Sequence, residues 1–212
     1  MKNFKKLIFT FMFAVLLMPV LNAASVNVNT EEELLNAVKS DGTIVLNDNI
    51  TLTKALEVKG NNVIIDLNGK TITIQNGYNG YFDLFKGKLE FTGKGTIKDV
   101  RVKERVAATI WVEGSTDVND KDFSVLTIGK DVTIDTTQWG LAVSHTDGKA
   151  YGLTVNFNGK IVSSAVNGGG ITVFGDVKNT GNGLTNAPVI NLSNTASVKA
   201  VGDAALYAAG VG

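Results

Sequence analysis

The sequence predicts an all-β fold, a right-handed parallel β-helix with a short N-terminal capping helix, and three observations carry that expectation. Short segments of alternating apolar residues recur from Gly42 onward, Gly, Asn and Asp punctuate them, and several segments repeat as larger units. The composition agrees, with 23 Gly, only 2 Pro and 44% hydrophobic residues. Val, Ile and Thr fit a pleated, half-buried surface, while Gly and Asn supply the backbone angles of tight turns. Chains this rich in β-branched residues are not of the disordered type, and 212 residues suffice for one domain with a sizeable core.

Residues 1–24 read as a secretory signal peptide. Lys2, Lys5 and Lys6 give a positive start, an apolar run follows from Leu7 to Val20, and Leu21-Asn22-Ala23-Ala24 offers small residues for cleavage. The run is about 14 residues, short of the roughly 20 that a spanning helix needs. Cleavage is therefore expected over an uncleaved anchor, with no membrane insertion afterwards. Loss of the three lysines takes the formal charge from +0 to about −3. That weakly acidic, mixed-sign surface argues against nucleic acid or an anionic membrane as partner. The chain has no cysteine, so the fold has to be held by its core, and a lipid-modified cysteine is excluded.

Residues 25–41 are expected to form an N-terminal strand and the capping helix. Thr30-Glu31-Glu32-Glu33 is a capping-box pattern, and the acids sit at the favourable end of the helix dipole. Leu34, Leu35 and Val38 form an apolar stripe, and Ser40-Asp41-Gly42 ends the helix. Such a helix suits the open end of a solenoid, whose terminal coil otherwise exposes core side chains and unpaired backbone.

Residues 42–212 are read as β-helix coils. Ile44 and Leu46, Ile50 and Leu52, Val63, Ile65 and Leu67, and Ile72 and Ile74 fall at alternate positions. Leu89 and Phe91, Leu126 and Ile128, Leu153, Val155 and Phe157, Ile171 and Val173, and Ile190 and Leu192 continue the pattern. Asp66-Leu67-Asn68-Gly69-Lys70-Thr71-Ile72 is echoed by Asn156-Phe157-Asn158-Gly159-Lys160-Ile161-Val162, and Leu126–Ile134 by Ile190–Val198. Leading strands are expected near residues 44, 63, 89, 126, 153 and 190, the smaller gaps matching one solenoid coil. An antiparallel sandwich or barrel is the competing architecture, because Asn-Gly between alternating runs also signals a hairpin. The β-helix is preferred because the segments are shorter than ordinary strands and come about three to a repeat. Asn68 and Asn158 are expected at equivalent corners, as part of a side-chain ladder.

The runs Thr30–Val38, Gly42–Leu46 and Val63–Ile72 together resemble the opening of pectate-lyase-like β-helix domains of bacterial surface and secreted proteins. The resemblance covers residues 30 to about 75 well and the coils to residue 212 more loosely. It implies the right-handed parallel β-helix and no single activity, since that fold hosts lyases, glycosidases, adhesins and phage proteins. Ala204–Ala209 reads as a strand in mid-coil, with no cap, sorting motif or anchor before Gly212. A chain truncated at its C-terminus, with further domains in a longer protein, is expected over a partner covering the coil.

No catalytic constellation, metal set or cofactor motif stands out. His145 is the one histidine, and Ser144 and Asp147 beside it make no triad, because neighbours on a strand point to opposite faces. Asp117, Asn119, Asp120 and Asp122 are hard oxygen donors, but they lack the Gly and terminal Glu of a calcium loop and read as a solvated turn. Arg101, Lys103 and Arg105 alternate, which would place a cationic stripe on one strand face, either to meet an acidic glycan or simply to keep the surface soluble. Asp66, Asp83, Glu90 and Glu113 could supply the two carboxylates of a glycosidase, though nothing in their spacing requires it. Trp139 and Tyr81 are expected to be exposed enough to stack on sugar rings, Phe82 and Phe85 to fill the core, and Trp111 to point away from Ile110 and Val112. The expectation is a non-catalytic adhesin, structural or glycan-binding module, secreted or at the cell surface, with an extracellular polysaccharide or host glycan as partner. The alternative is a polysaccharide lyase or glycosidase.

Overall fold

A computed structural model of the chain describes residues 25–75, 81–101, 108–117, 119–144, 151–164, 169–174, 188–202 and 204–209. The chain opens with β1 (Ser25–Val28) and α1 (Glu31–Ala37) and then winds through six coils of three strands each. The first coil holds β2 (Gly42–Leu46), β3 (Ile50–Leu52) and β4 (Leu56–Lys59); the second holds β5 (Asn62–Asp66), β6 (Thr71–Ile74) and β7 (Phe82–Phe85). The third holds β8 (Gly87–Thr92), β9 (Gly95–Asp99) and β10 (Ala108–Glu113); the fourth holds β11 (Ser124–Ile128), β12 (Val132–Thr136) and β13 (Trp139–Val143). The fifth holds β14 (Leu153–Phe157), β15 (Lys160–Ser163) and β16 (Ile171–Phe174); the last holds β17 (Val189–Leu192), β18 (Ser197–Ala200) and β19 (Leu206–Ala209).

Every third strand pairs with its counterpart one coil away. The first sheet runs β1-β2-β5-β8-β11-β14-β17, the second β3-β6-β9-β12-β15-β18 and the third β4-β7-β10-β13-β16-β19. The strand pairings within all three sheets are parallel, which makes the fold a parallel β-helix and removes the antiparallel sandwich. The six leading strands expected from the sequence are the ones that stack in the first sheet. The wider gaps between them are single coils with insertions.

Registry explains the core. Ile50, Ile72, Ile97, Ile134, Ile161 and Val198 stack in one column of the second sheet. Leu56, Phe82, Ile110, Leu141 and Ile171 do the same in the third sheet, and Ile44, Ile65, Phe91, Ile128 and Phe157 in the first. Because the side-chain period is two, one register keeps each column inside through every coil. Burial of each such side chain contributes about 1.5–3 kcal/mol.

Asn68 and Gly69 show how a hairpin signal becomes a corner. Both adopt left-handed angles, φ 47° and 78°, and they carry the chain from β5 into β6 of a different sheet rather than back along the same one. Asn68 donates its side-chain amide to Leu46 O of the preceding coil at 3.0 Å. Two coils separate its corner from that of Asn158, so the Asn68–Asn158 ladder expected from the sequence does not form. The two intervening corners begin at glycines, Gly93, where a Cβ would collide with the Asp66 carboxylate, and Gly129, where one would collide with Phe91 O. An asparagine pair does stack on the flat of the first sheet, where Asn191 donates to Asn156 Oδ1 at 2.9 Å.

The helix closes the first coil as its pattern implied. Glu33 N donates to Thr30 Oγ1 at 3.2 Å and Thr30 N to Glu33 Oε2 at 3.3 Å, the reciprocal capping box. Leu34 and Val38 point into the core. Glu31 ties the helix to the coil, accepting from Thr53 N at 2.5 Å and Lys54 N at 2.9 Å.

Candidate functional site

The outer face of the third sheet gathers aromatic side chains that lie far apart in sequence. In β7 and the residue before it, Phe82 and Leu84 face inward and are fully buried, so Tyr81, Asp83 and Phe85 face outward, each half-buried. Trp111 faces outward from β10, in register with Asp83, as the alternation Ile110-Trp111-Val112 implied. Its ring lies 5.8 Å from that of Tyr81, tilted by 32°. One coil further, Trp139 opens β13 and Phe174 closes β16, and their rings come within 5.4 Å at 37°. To meet, they reach toward each other along the sheet. Ala142 and Thr172, the outward residues between them, are small and are buried to 0% and 2% exposure. Tyr207 follows Thr172 in register on β19 and is 48% exposed.

Two of the residues singled out in the sequence, Trp139 and Tyr81, thus stand on one face, half-buried rather than fully exposed. Phe85 departs from its expected place in the core. It packs outside, edge-on to Phe123 at 5.4 Å, because it has the parity of Asp83. Trp111, Phe174 and Tyr207 complete the face. The alternation around Trp111 showed its direction, but only coil registry shows that it shares a sheet with the others.

Arg101 is not on an outer stripe. It follows the end of β9, where the chain bends into the interior, and its side chain is 2% exposed. Its guanidinium grips Asp99 in a bidentate pair, Nε to Oδ1 at 2.9 Å and Nη2 to Oδ2 at 2.5 Å, and Nη2 also donates to Ala108 O at 2.9 Å. The Thr109 hydroxyl lies 3.1 Å from Asp99 Oδ2 and 2.8 Å from Thr136 Oγ1. Gln138 donates its side-chain amide to Arg101 O at 2.7 Å, and Ser163 donates to Gln138 O at 2.8 Å. The pair is therefore compensated and hydrogen-bonded, the condition for keeping charge inside a protein. Lys103 and Arg105 lie outside the described residues, as does His145.

This interior network touches the aromatic face at Tyr81. The Arg101 guanidinium carbon lies 6.0 Å from the centre of the Tyr81 ring, at the edge of cation–π range. Burial raises the Tyr81 phenol above its ordinary value, and the carboxylates of Asp83 and Glu57 add to that rise. Glu57 precedes Asp83 in the same outward column and pairs with Lys59 at 2.6 Å.

The remaining acids fall in separate places. Asp66 and Glu90 belong to the first sheet and Asp83 and Glu113 to the third, so the four do not form one group. Asp66 accepts from Asn68 N at 2.9 Å, which braces a corner. In the Asp117–Asp122 loop, Asp120 accepts from the Ser115 hydroxyl and Asp117 from Asn119 N, at 2.9 Å in the latter case. Those carboxylates fold the loop. Among the described residues, no group of three or more acids, His or Cys converges on a point where a metal ion could sit. Compared with family models, curated proteins and solved structures, the chain matches none.

Proposed function

We propose that the protein is a secreted or cell-surface binding module of the pectate-lyase-like kind, and that it takes an extracellular glycan on the outer face of its third sheet. The observation that carries this reading is the pairing of half-buried rings there, Tyr81 with Trp111 and Trp139 with Phe174. Sugar rings have an apolar face of C–H groups, and an aromatic ring held on a rigid sheet is a ready partner at low entropic cost. The β-helix supplies the rigidity, since β7, β10, β13 and β16 are each hydrogen-bonded to a strand on both sides. The pattern of residues 1–24 supports export, and the opening runs from Thr30 to Ile72 support the fold family.

The face is read as non-catalytic. Glu57 and Asp83 stand in one column on adjacent coils, and Glu57 is engaged by Lys59, which suits it to hydrogen-bond hydroxyls rather than to protonate a leaving group. The test is to pass the full chain over an array of plant, bacterial and host glycans and to analyse the bound sugars by product chromatography. Retention without new products is the expected result. Release of unsaturated or hydrolysed sugars would establish the lyase or glycosidase alternative instead.

A further inference from the structure

The two ends of the solenoid are finished differently. At the N-terminal end, β1 lies on the first sheet, Leu34 and Val38 cover the core, and Glu31 takes the Thr53 and Lys54 amides at the end of β3. The last coil has no such cover among the described residues. Its strands β17, β18 and β19 are all edges, each hydrogen-bonded to a strand on one side only. The inward positions show the consequence. Leu192 follows Phe157 in register, and Leu206 follows Ile171. Phe157 and Ile171 are fully buried, whereas Leu192 is 45% exposed and Leu206 52%. Val189 and Val201, both exposed, widen this apolar end.

We infer that the last coil is a self-association surface, on which a second copy of the chain stacks tail to tail about a twofold axis. Charge favours that occupant. Sheet edges are commonly kept single by charged residues or proline, yet the three last strands carry no proline and Lys199 as their one charge. A nearly neutral apolar surface does not repel its own copy. The opposite end of the solenoid is a poor match, because its helix presents Glu32, Glu33 and Lys39 to solvent. Turning the second copy over reverses its strands, so the edges meet antiparallel, the slightly more stable pairing. Each of the three strands is four residues long, which lets any one pair with any other without overhang. Leu192 and Leu206 then gain the cover that Phe157 and Ile171 already have. The coil brings about 20 residues to each side, the lower end of a standard interface. Such a contact is isologous and closes at two copies, whereas head-to-tail stacking would build a filament. The inference stands apart from the glycan reading.

Sedimentation velocity of the full chain over a range of concentrations tests the association. A reversible monomer–dimer equilibrium with no larger species is expected. Leu206→Asp places a carboxylate in the apolar contact and should weaken the dimer at least about tenfold. The urea midpoint of the dilute, monomeric protein should stay unchanged, since residue 206 is exposed there. Val201→Asp, in the turn after β18, should weaken the dimer in the same direction. The chain has no cysteine, so single spin labels report the orientation. Six coils at about 4.8 Å each make about 25–30 Å. Labels at Ser197→Cys should therefore lie within about 30 Å of one another in the dimer, and labels at Lys39→Cys beyond about 50 Å. Equal separations at the two ends would overturn the inference, and so would a dimer that neither aspartate weakens. A monomer at every concentration would overturn it too, and would leave the coil to be covered by further coils or by a different protein.

Discussion

Two columns of side chains run next to each other inside the second sheet, and they obey different rules. One is Ile50, Ile72, Ile97, Ile134 and Ile161, apolar in every coil and fully buried or nearly so. The other starts the same way, with Leu52 and Ile74, and then turns polar at Asp99, Thr136 and Ser163. These polar residues are buried as deeply as the isoleucines. The backbone is the same and so is the register. What changes is that the chain between β9 and β10 brings Arg101 inward, and the column supplies its counter-charge and hydroxyls. The isoleucine column stabilises the fold by area. The polar column holds a corner in one arrangement, next to Tyr81 on the outer face.

The sharpest way to break that contrast is to remove one member of the ion pair. Asp99→Ala leaves the Arg101 guanidinium buried without its partner and should cost about 3–5 kcal/mol, read by urea denaturation. The double variant Asp99→Leu, Arg101→Met, which restores an apolar column, should recover most of that loss. A second comparison sits in the apolar column, where Ile134→Ala opens a cavity and should cost about 2–4 kcal/mol. It should have no effect on glycan retention beyond the lost stability, whereas Asp99→Ala should loosen Tyr81 and weaken retention as well. Thr30→Ala removes one half of the capping box at the end of the solenoid, and about 1 kcal/mol is expected.

The smallest effect is at Glu31. Partial burial opposes its ionisation, but hydrogen bonds from the Thr53 amide and hydroxyl and the Lys54 amide outweigh it, so the carboxyl titrates below its ordinary 4.5. A carboxyl whose value is depressed on folding stabilises the fold above that ordinary value, and the contribution disappears as pH falls through the lowered one. Thermal melts should therefore show a loss on acidification below about pH 4.5 that is reduced in Glu31→Gln. Because Glu31 is only half-buried, solvent screens its contacts and the difference should be small.

The two columns also show how far the sequence could be read. The isoleucines announce themselves by alternation, and six of the leading strands expected from such patterns share one sheet. The capping box at Thr30 and Glu33 was legible for the same reason, as a local pattern with a local geometry. The Asp99 network was not. Arg101, Lys103 and Arg105 alternate like an outer stripe, but β9 ends at Asp99 and the Arg101 side chain lies inside. A signal was present: Ile97 and Asp99 share parity, so an inward isoleucine implies an inward aspartate. The aromatic face was half legible, since Trp139, Tyr81 and the direction of Trp111 could each be argued alone. Their assembly needed the register between coils, which depends on insertion lengths that no local pattern records.

The chain has two tryptophans, Trp111 and Trp139, and both belong to the proposed face. Titration of the full chain with a soluble glycan that the array retains, followed by tryptophan emission, therefore tests the location of binding most directly. The predicted result is a saturable change in intensity or emission maximum, with the same midpoint as binding measured by calorimetry, that is halved or lost in Trp111→Phe and Trp139→Phe. Calorimetric binding with an unchanged emission spectrum would place the glycan elsewhere on the solenoid and contradict the account.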